Sequence, residues 1–250
     1  MAGHSKWANI KHRKGAQDAK RSKIFTRIIK ELTVAVKEGG ADPDTNPRLR
    51  TAMQNAKGAN MPKDTIERTV KKASGADGTS YEEVSFEGYA SNGVAVFVEC
   101  TTDNNNRTVA NIRAIFTKYG GNLGTNGSLE FIFDRKGVFT IAAEKVGMDL
   151  EEFEMELIDG GLEELEKEGE IVLVYTNFTD FSAMLKKLEE LGIELQSAEL
   201  QRIPNTTKAL DVDKSKSVIN MIDKFEEDDD VQNVFHNLEM TEELMIALEE

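Results

Sequence analysis

Residues 94–121 read VAVFVECTTDNNNRTVANIRAIFTKYGG, and residues 171–192 read IVLVYTNFTDFSAMLKKLEELG. Each opens on an apolar run, Val94–Val98 and Ile171–Tyr175, that reads as a strand. A polar Thr/Asn/Asp turn follows, Thr101–Asn106 in the first and Thr176–Asp180 in the second. Ile112, Phe116 and Tyr119 then share one helix face before Gly120-Gly121, as Phe181, Met184, Leu185, Leu188 and Leu191 do before Gly192. Strand, turn, helix, glycine and strand recur at a separation of roughly 75 residues, which predicts two related βαβ-type units of the ferredoxin-like kind.

The flanking segments extend this pattern. Leu129–Phe133 and Val138–Ile141 are expected to form a hairpin around Asp134-Arg135-Lys136-Gly137, and Glu194–Ile203 to be extended. Leu150, Phe153 and Leu157 mark a helix ended by Gly160-Gly161. Val218, Ile222 and Phe225 mark another, followed by a strand over Val231–Leu238. A ferredoxin-like domain needs two helices and about four strands. The first unit supplies only one helix before the second begins, so the terminal helix–strand pair completes it if the second unit is an insertion. The expected fold is α+β and multidomain: a basic helical domain over 1–75, a discontinuous α/β domain over 80–141 and 209–250, and an inserted α/β domain over 142–208.

Ahead of this body the periodicity is helical. A first helix over Lys20–Glu38 ends at Gly39-Gly40, with Phe25, Ile28, Ile29, Leu32 and Val36 within an arc of about 100°. Lys20, Lys23, Arg27, Lys30 and Lys37 fall on the opposite arc. Asn46-Pro47, a capping residue before a proline suited to the first turn, opens a second helix with a seam of Leu49, Ala52, Met53 and Ala56. A third runs from about Lys63 to Ala73, with Ile66 and Val70 one turn apart.

Charge divides the 250-residue chain at the same place. Met1–Lys72 carries 17 Lys/Arg against 7 Asp/Glu, whereas the whole chain, with 31 Lys/Arg and 45 Asp/Glu, has a net charge of −14. A basic head of this kind suits a polyanion that the acidic body would repel. The blander reading is that head and body neutralise one another across an interdomain face. In the opening stretch GHSKWANIKHRKGAQDAKR, the cations Lys6, Lys11, Arg13, Lys14, Lys20 and Arg21 accompany Trp7 and His12. Ordering on a phosphate backbone, with Trp7 and His12 stacking on bases, best explains them; alternatively Trp7 and Ile10 tuck into the bundle. The predicted nucleic-acid contacts are therefore these eight residues with Lys23, Arg27 and Lys30. Thr102, Asp103, Asn104, Asn106 and Arg107, ahead of a helix, are either ordinary caps or a second contact to an anion or a protein partner.

Composition narrows the classes further. A single cysteine, Cys100, excludes an intramolecular disulfide and a cysteine-rich zinc module. No run reaches the roughly 18 apolar residues of a membrane span, and the opening segment lacks an apolar signal core, so a cytoplasmic location is expected. Asp42, Asp44 and Asn46 begin like a calcium loop, but Pro47 and Met53 stand where glycine and glutamate are needed. Gly120–Gly124 follows a helix instead of preceding one, and no P-loop, HExxH, CxxC or GxSxG pattern occurs. Cys100 is read as core, His236 as lying at the edge of a strand face, and Glu226–Asp230 as a solvated acidic loop. A non-enzymatic protein without cofactor or metal is expected.

The stretches MAGHSKWANIKHRKGAQDAKRSKIFTRIIKEL, GGADPDTNPRLRTAMQNAKGANMP, TTDNNNRT and TKYGGNLGTNGSLEF resemble the YebC/PmpR family of bacteria, related to the mitochondrial translational activator of cytochrome c oxidase subunit one. Gly88–Gly93 and Arg68-Thr69-Val70 depart slightly from the family pattern. The resemblance implies a helical head and two α/β domains, the third inserted in the second. It also implies a probable DNA-binding transcriptional regulator, or a translation factor that contacts ribosomal or transfer RNA and relieves stalling at consecutive prolines. The expected partners are nucleic acid (DNA or ribosomal RNA) and the ribosome, not a membrane, for a chain that is monomeric. A scaffold whose acidic face binds basic proteins is the third reading.

Overall fold

The computed structural model describes residues 17–75 and 79–249. Three helices form the head: α1 (Gln17–Gly39), α2 (Pro47–Gly58) and α3 (Lys63–Ser74). The predicted seams meet, burying Ile28, Leu32, Val36, Leu49, Ala52, Ala56 and Ile66 in one core. Gly40 turns the chain out of α1 at φ 86°, where a side chain would be strained. Asn46 is buried and uses its whole amide: Oδ1 accepts from Leu49 N at 3.0 Å, and Nδ2 donates to Ala35 O and Gly40 O at 2.8 Å each. One side chain thus caps α2 and ties it to α1.

The body holds two four-stranded antiparallel sheets. The first contains β1 (Glu82–Tyr89), β2 (Ala95–Thr102), β3 (Asn122–Leu123) and β8 (Val231–His236), in the order β3-β1-β2-β8. Helices α4 (Asn105–Lys118) and α7 (Val212–Glu226) cover one face. They pack Ile112, Phe116, Val218, Ile222 and Phe225 onto Val96, Val98 and Cys100. The alternate residues Ala95 and Phe97 look the other way, onto Leu129, Ile132 and Phe133. Strand β2 is therefore covered on both faces, which is why its sequence is apolar at every position from 94 to 98.

The second sheet contains β4 (Phe133–Ala142), β5 (Leu162–Glu168), β6 (Ile171–Asn177) and β7 (Leu195–Pro204), in the order β5-β6-β4-β7. Helices α5 (Leu150–Leu157) and α6 (Phe181–Glu190) back it, so this unit has the β-α-β-β-α-β sequence of a ferredoxin-like fold. A short helix, α8 (Glu242–Glu249), follows β8. Chain entry and exit coincide: β4 and β7 are antiparallel neighbours, with Phe133 opposite Pro204. Afterwards α7 and β8 return to the first sheet, β8 pairing with β2 from Val231 to His236.

Two expectations about this region are corrected. There is no hairpin at 129–141: β4 runs unbroken through Asp134–Gly137, and it belongs to the second sheet, not the first. Gly137 is there for space; a Cβ would lie 2.4 Å from Thr176 Oγ1 and 2.9 Å from the Phe181 ring. Residues 126–132 are a turn folded over the back of the first sheet. The buried carboxylate of Glu87 holds that turn, accepting from Gly127 N at 2.7 Å and Leu129 N at 2.6 Å.

The head touches both sheets. Its α2 lies along β7, an edge strand of the second sheet, and Asn55 completes that edge. Asn55 donates to Ala198 O at 3.0 Å and accepts from Ala198 N at 2.8 Å, satisfying backbone groups that a free edge would expose. At Gly58 the approach is so close that an added Cβ would lie 2.0 Å from Gln196 O. Gly58→Ala is expected to push α2 off this edge, costing about 2 kcal/mol in a urea melt. An unchanged midpoint would show that the contact carries no stability.

Candidate nucleic-acid interface

On one side of α1, Lys23, Arg27 and Lys30 recur at one face. That face meets the C-terminal end of α7 and the acidic loop after it. Lys23 Nζ donates to Glu226 O at 3.3 Å and to Glu227 O, and lies 3.9 Å from Asp229 Oδ1. Arg27 Nη2 donates to Glu226 O at 3.3 Å. The last turn of a helix leaves carbonyls without intrahelical partners and carries the negative end of its dipole, so cations suit it. Lys30 goes deepest: its ammonium, nearly excluded from solvent, donates to Thr101 O at 2.8 Å, Asp229 O at 2.7 Å and Asp230 Oδ1 at 2.9 Å. All three of its protons are used.

Asp230 is the centre of a buried network. Besides Lys30, its carboxylate accepts from Arg107 Nη2 at 2.6 Å, Thr108 Oγ1 at 2.9 Å and Thr102 Oγ1 at 3.2 Å. Burial alone would raise its pKa, but the hydrogen bonds from Arg107, Lys30 and Thr108 outweigh this and hold it at about 2. Arg107 also pairs with Asp103 at 2.8 Å, and its guanidinium is held charged above its ordinary range by these two carboxylates.

The geometry revises several sequence expectations. Glu226–Asp230 is not a solvated loop throughout, because Asp230 is 4% exposed and clamps the head. Lys30 is an internal ion pair, and Lys23 and Arg27 are occupied by the same loop, so the cationic arc of α1 is spent largely on the body. Asn104 caps α4, its side chain accepting from Arg107 N at 3.1 Å. Thr102 is fully buried and cannot touch an external anion, while Asp103, Asn104 and Asn106 remain exposed. Cys100 lies in the core, where burial pushes its thiol pKa up to about 12. His236 is 1% exposed, so it is not at a face edge.

Arg21 is exposed, donates to Asn60 O at 3.4 Å and stacks over the Phe25 ring at 5.4 Å. Lys6, Trp7, Lys11, His12, Arg13 and Lys14 lie outside the described residues, as does the side chain of Lys20. Sequence reasoning overlooked Glu31. It sits on α1, beside Glu199 of β7, Arg48 of α2 and Glu83 of β1, and its pKa rises to about 7. Burial is the main cause, and the two neighbouring glutamates outweigh Arg48. No cluster of three His, Cys, Asp or Glu side chains suited to a metal occurs among the described residues. No described helix is long and apolar enough to cross a membrane.

A three-helix head latched onto two antiparallel four-stranded sheets, each backed by helices, defines a multidomain α+β architecture. Its first part, residues 5–76, matches the family model described as the TACO1/YebC protein N-terminal domain, and residues 81–238 match that of the TACO1/YebC second and third domain. The chain belongs to the TACO1/YebC family. It is 52% identical to a probable transcriptional regulatory protein of Treponema denticola, over 97% of this chain and 98% of that one. A probable transcriptional regulatory protein of Geobacillus kaustophilus is 49% identical over 96% and 98% of the two chains. The crystal structure of a conserved hypothetical protein from Aquifex aeolicus superposes with a TM-score of 0.81 at 41% identity, covering 90% of this chain and 93% of that one.

Proposed function

We propose that this chain is a non-enzymatic, nucleic-acid-binding regulator of gene expression, acting in the cytoplasm as a DNA-binding transcriptional regulator through its basic N-terminal part. The observation that carries the reading is the charge division: 17 of the 31 Lys/Arg residues fall in the first 72 positions. The names of the relatives, probable transcriptional regulatory proteins, support the regulatory role. A second reading, a factor that contacts ribosomal or transfer RNA, is favoured by a specific observation. The cationic arc of α1 is engaged by residues 226–230, so it does not present an open face to a duplex groove. In the opening sequence, Lys6, Lys11, Arg13 and Lys14 interleaved with Trp7 and His12 are a residue set suited to irregular, partly unstacked targets.

Charge reversal at Lys11, Arg13 and Lys14 is expected to abolish binding, and three lost phosphate contacts would lower a log–log salt slope on duplex DNA by about 3. Lys23→Glu with Arg27→Glu is expected mainly to lower the melting temperature. Flat salt dependence of the unaltered chain would overturn an electrostatic contact. Crosslinking in growing cells, followed by sequencing of the attached nucleic acid, separates the two readings: enriched promoter DNA supports the first, a confined ribosomal or transfer RNA site the second.

A further inference from the structure

Between α1 and α3 runs an open groove of about 380 Å³, lined also by Tyr81 just ahead of β1. Its lining includes Arg68 and Lys72 of α3 and the hydroxyl side chains of Thr33, Thr65 and Thr69, and contains no carboxylate among the described residues. That is unusual on a chain of net charge −14. Unlike Lys23 and Lys30, neither cation has an ion pair among the described residues. Among the described residues Arg68 donates only to groups of its own helix, Asp64 O at 3.2 Å and Thr65 Oγ1 at 3.4 Å, which leaves part of its guanidinium fork open there. Lys72 is exposed.

The volume lies within the range of small-ligand sites and accepts a single nucleotide, but not a duplex. Two kinds of recognition group line it. Arg68 and Lys72 offer a bidentate donor and a point charge, the pair suited to phosphate oxygens. The half-buried ring of Tyr81 offers a stacking surface, with Lys30 Nζ 5.4 Å from its centroid on one side. Burial and nearby Asp103 and Asp230 keep its phenol protonated, hence a donor.

We propose that the α1–α3 groove binds one unstacked nucleotide of a single-stranded nucleic acid, its phosphate on Arg68 and Lys72 and its base against Tyr81. The inference rests on the reading of the chain as a nucleic-acid binder, and deepens it by naming a single-stranded target and a site on the folded head.

The test is fluorescence anisotropy of the full chain with a labelled 12-nucleotide single-stranded RNA, the same sequence as single-stranded DNA, and its DNA duplex. Arg68→Glu with Lys72→Glu is expected to weaken single-strand binding at least tenfold. It should also flatten the salt slope by about 1.4, with the melting temperature unchanged because both side chains are exposed. The charge-conserving pair Arg68→Lys and Lys72→Arg should bind within threefold of the unaltered chain. RNA and DNA single strands bound alike would make the phosphodiester the recognised feature, whereas a tenfold preference for RNA would add its 2′-hydroxyl; either agrees with the proposal. Unchanged affinity and slope in the charge-reversed variant would overturn it while leaving nucleic-acid binding standing. So would displacement of the strand by inorganic phosphate as readily as by adenosine monophosphate, since that describes a simple anion site. Failure of the unaltered chain to bind any of the three probes would overturn this proposal and the functional reading together.

Discussion

Asp230→Ala is expected to destabilise the protein by about 3–5 kcal/mol, since removing one member of a buried ion pair leaves the other charge without compensation. The stranded partner is Lys30, whose side chain is 9% exposed and whose other two contacts are neutral carbonyls. Thr102 and Thr108, both fully buried, lose an acceptor as well. For a chain of this size the melting temperature should fall by roughly 10 °C. Lys30→Met should cost less, because Asp230 keeps Arg107 and an apolar side chain suits the vacated channel. The acid limb follows from the same carboxylate. Its pKa is depressed from 3.8 to about 2 in the folded state, so its contribution is complete above about pH 4 and is lost as pH falls toward 2. Asp230→Asn should lack that part of the acid transition. A melting temperature within 2 °C of the unaltered protein would show that the network does not hold head to body.

Glu31→Gln is expected to act in the opposite direction. The folded-state pKa of Glu31 is about 7 against 4.5 for a free side chain, so the folded protein binds the extra proton between these values. Stability therefore falls as pH rises from about 4.5 to 7, and is flat with respect to this group above that. Glutamine keeps the shape of the protonated acid and has nothing to ionise beside Glu199 and Glu83. The variant should match the unaltered protein near pH 4.5 and exceed it at pH 8 by about 3 kcal/mol. Urea midpoints at the two pH values test this. A variant less stable at both would mean that Glu31 is ionised and held by Arg48.

Much of the architecture was legible in local pattern. The Asn46-Pro47 start of α2 follows from capping chemistry, and the strand–turn–helix repeat follows from periods that change with secondary structure. What failed did so where a residue answers to distant neighbours. Gly137 looked like a turn glycine but serves close packing against Thr176 and Phe181. Leu129–Phe133 had the composition of a strand, yet its turn is fixed by Glu87, some forty positions away. The helical wheel correctly placed Lys23, Arg27 and Lys30 on a polar face of α1. A wheel says which face leaves the helical core and nothing of what that face meets, and here it meets carbonyls and carboxylates from 226–230. Glu31 gave no signal at all, because its environment is assembled from three separate elements. The groove beside Tyr81 was equally invisible, since its walls come from α1, α3 and the segment before β1.

The discontinuity of the first sheet sets an order of events during synthesis. Strand β2 waits for β8, so this sheet stays open on one side until residues 231–236 have left the ribosome. The second sheet, complete by Pro204, can close first and bring its two ends together at the Phe133–Pro204 pair. Asp230 arrives last of the clamp residues. Throughout most of translation the nascent head therefore carries Lys23, Arg27 and Lys30 uncovered beside the ribosome's own RNA, and these charges are withdrawn only as the chain is finished.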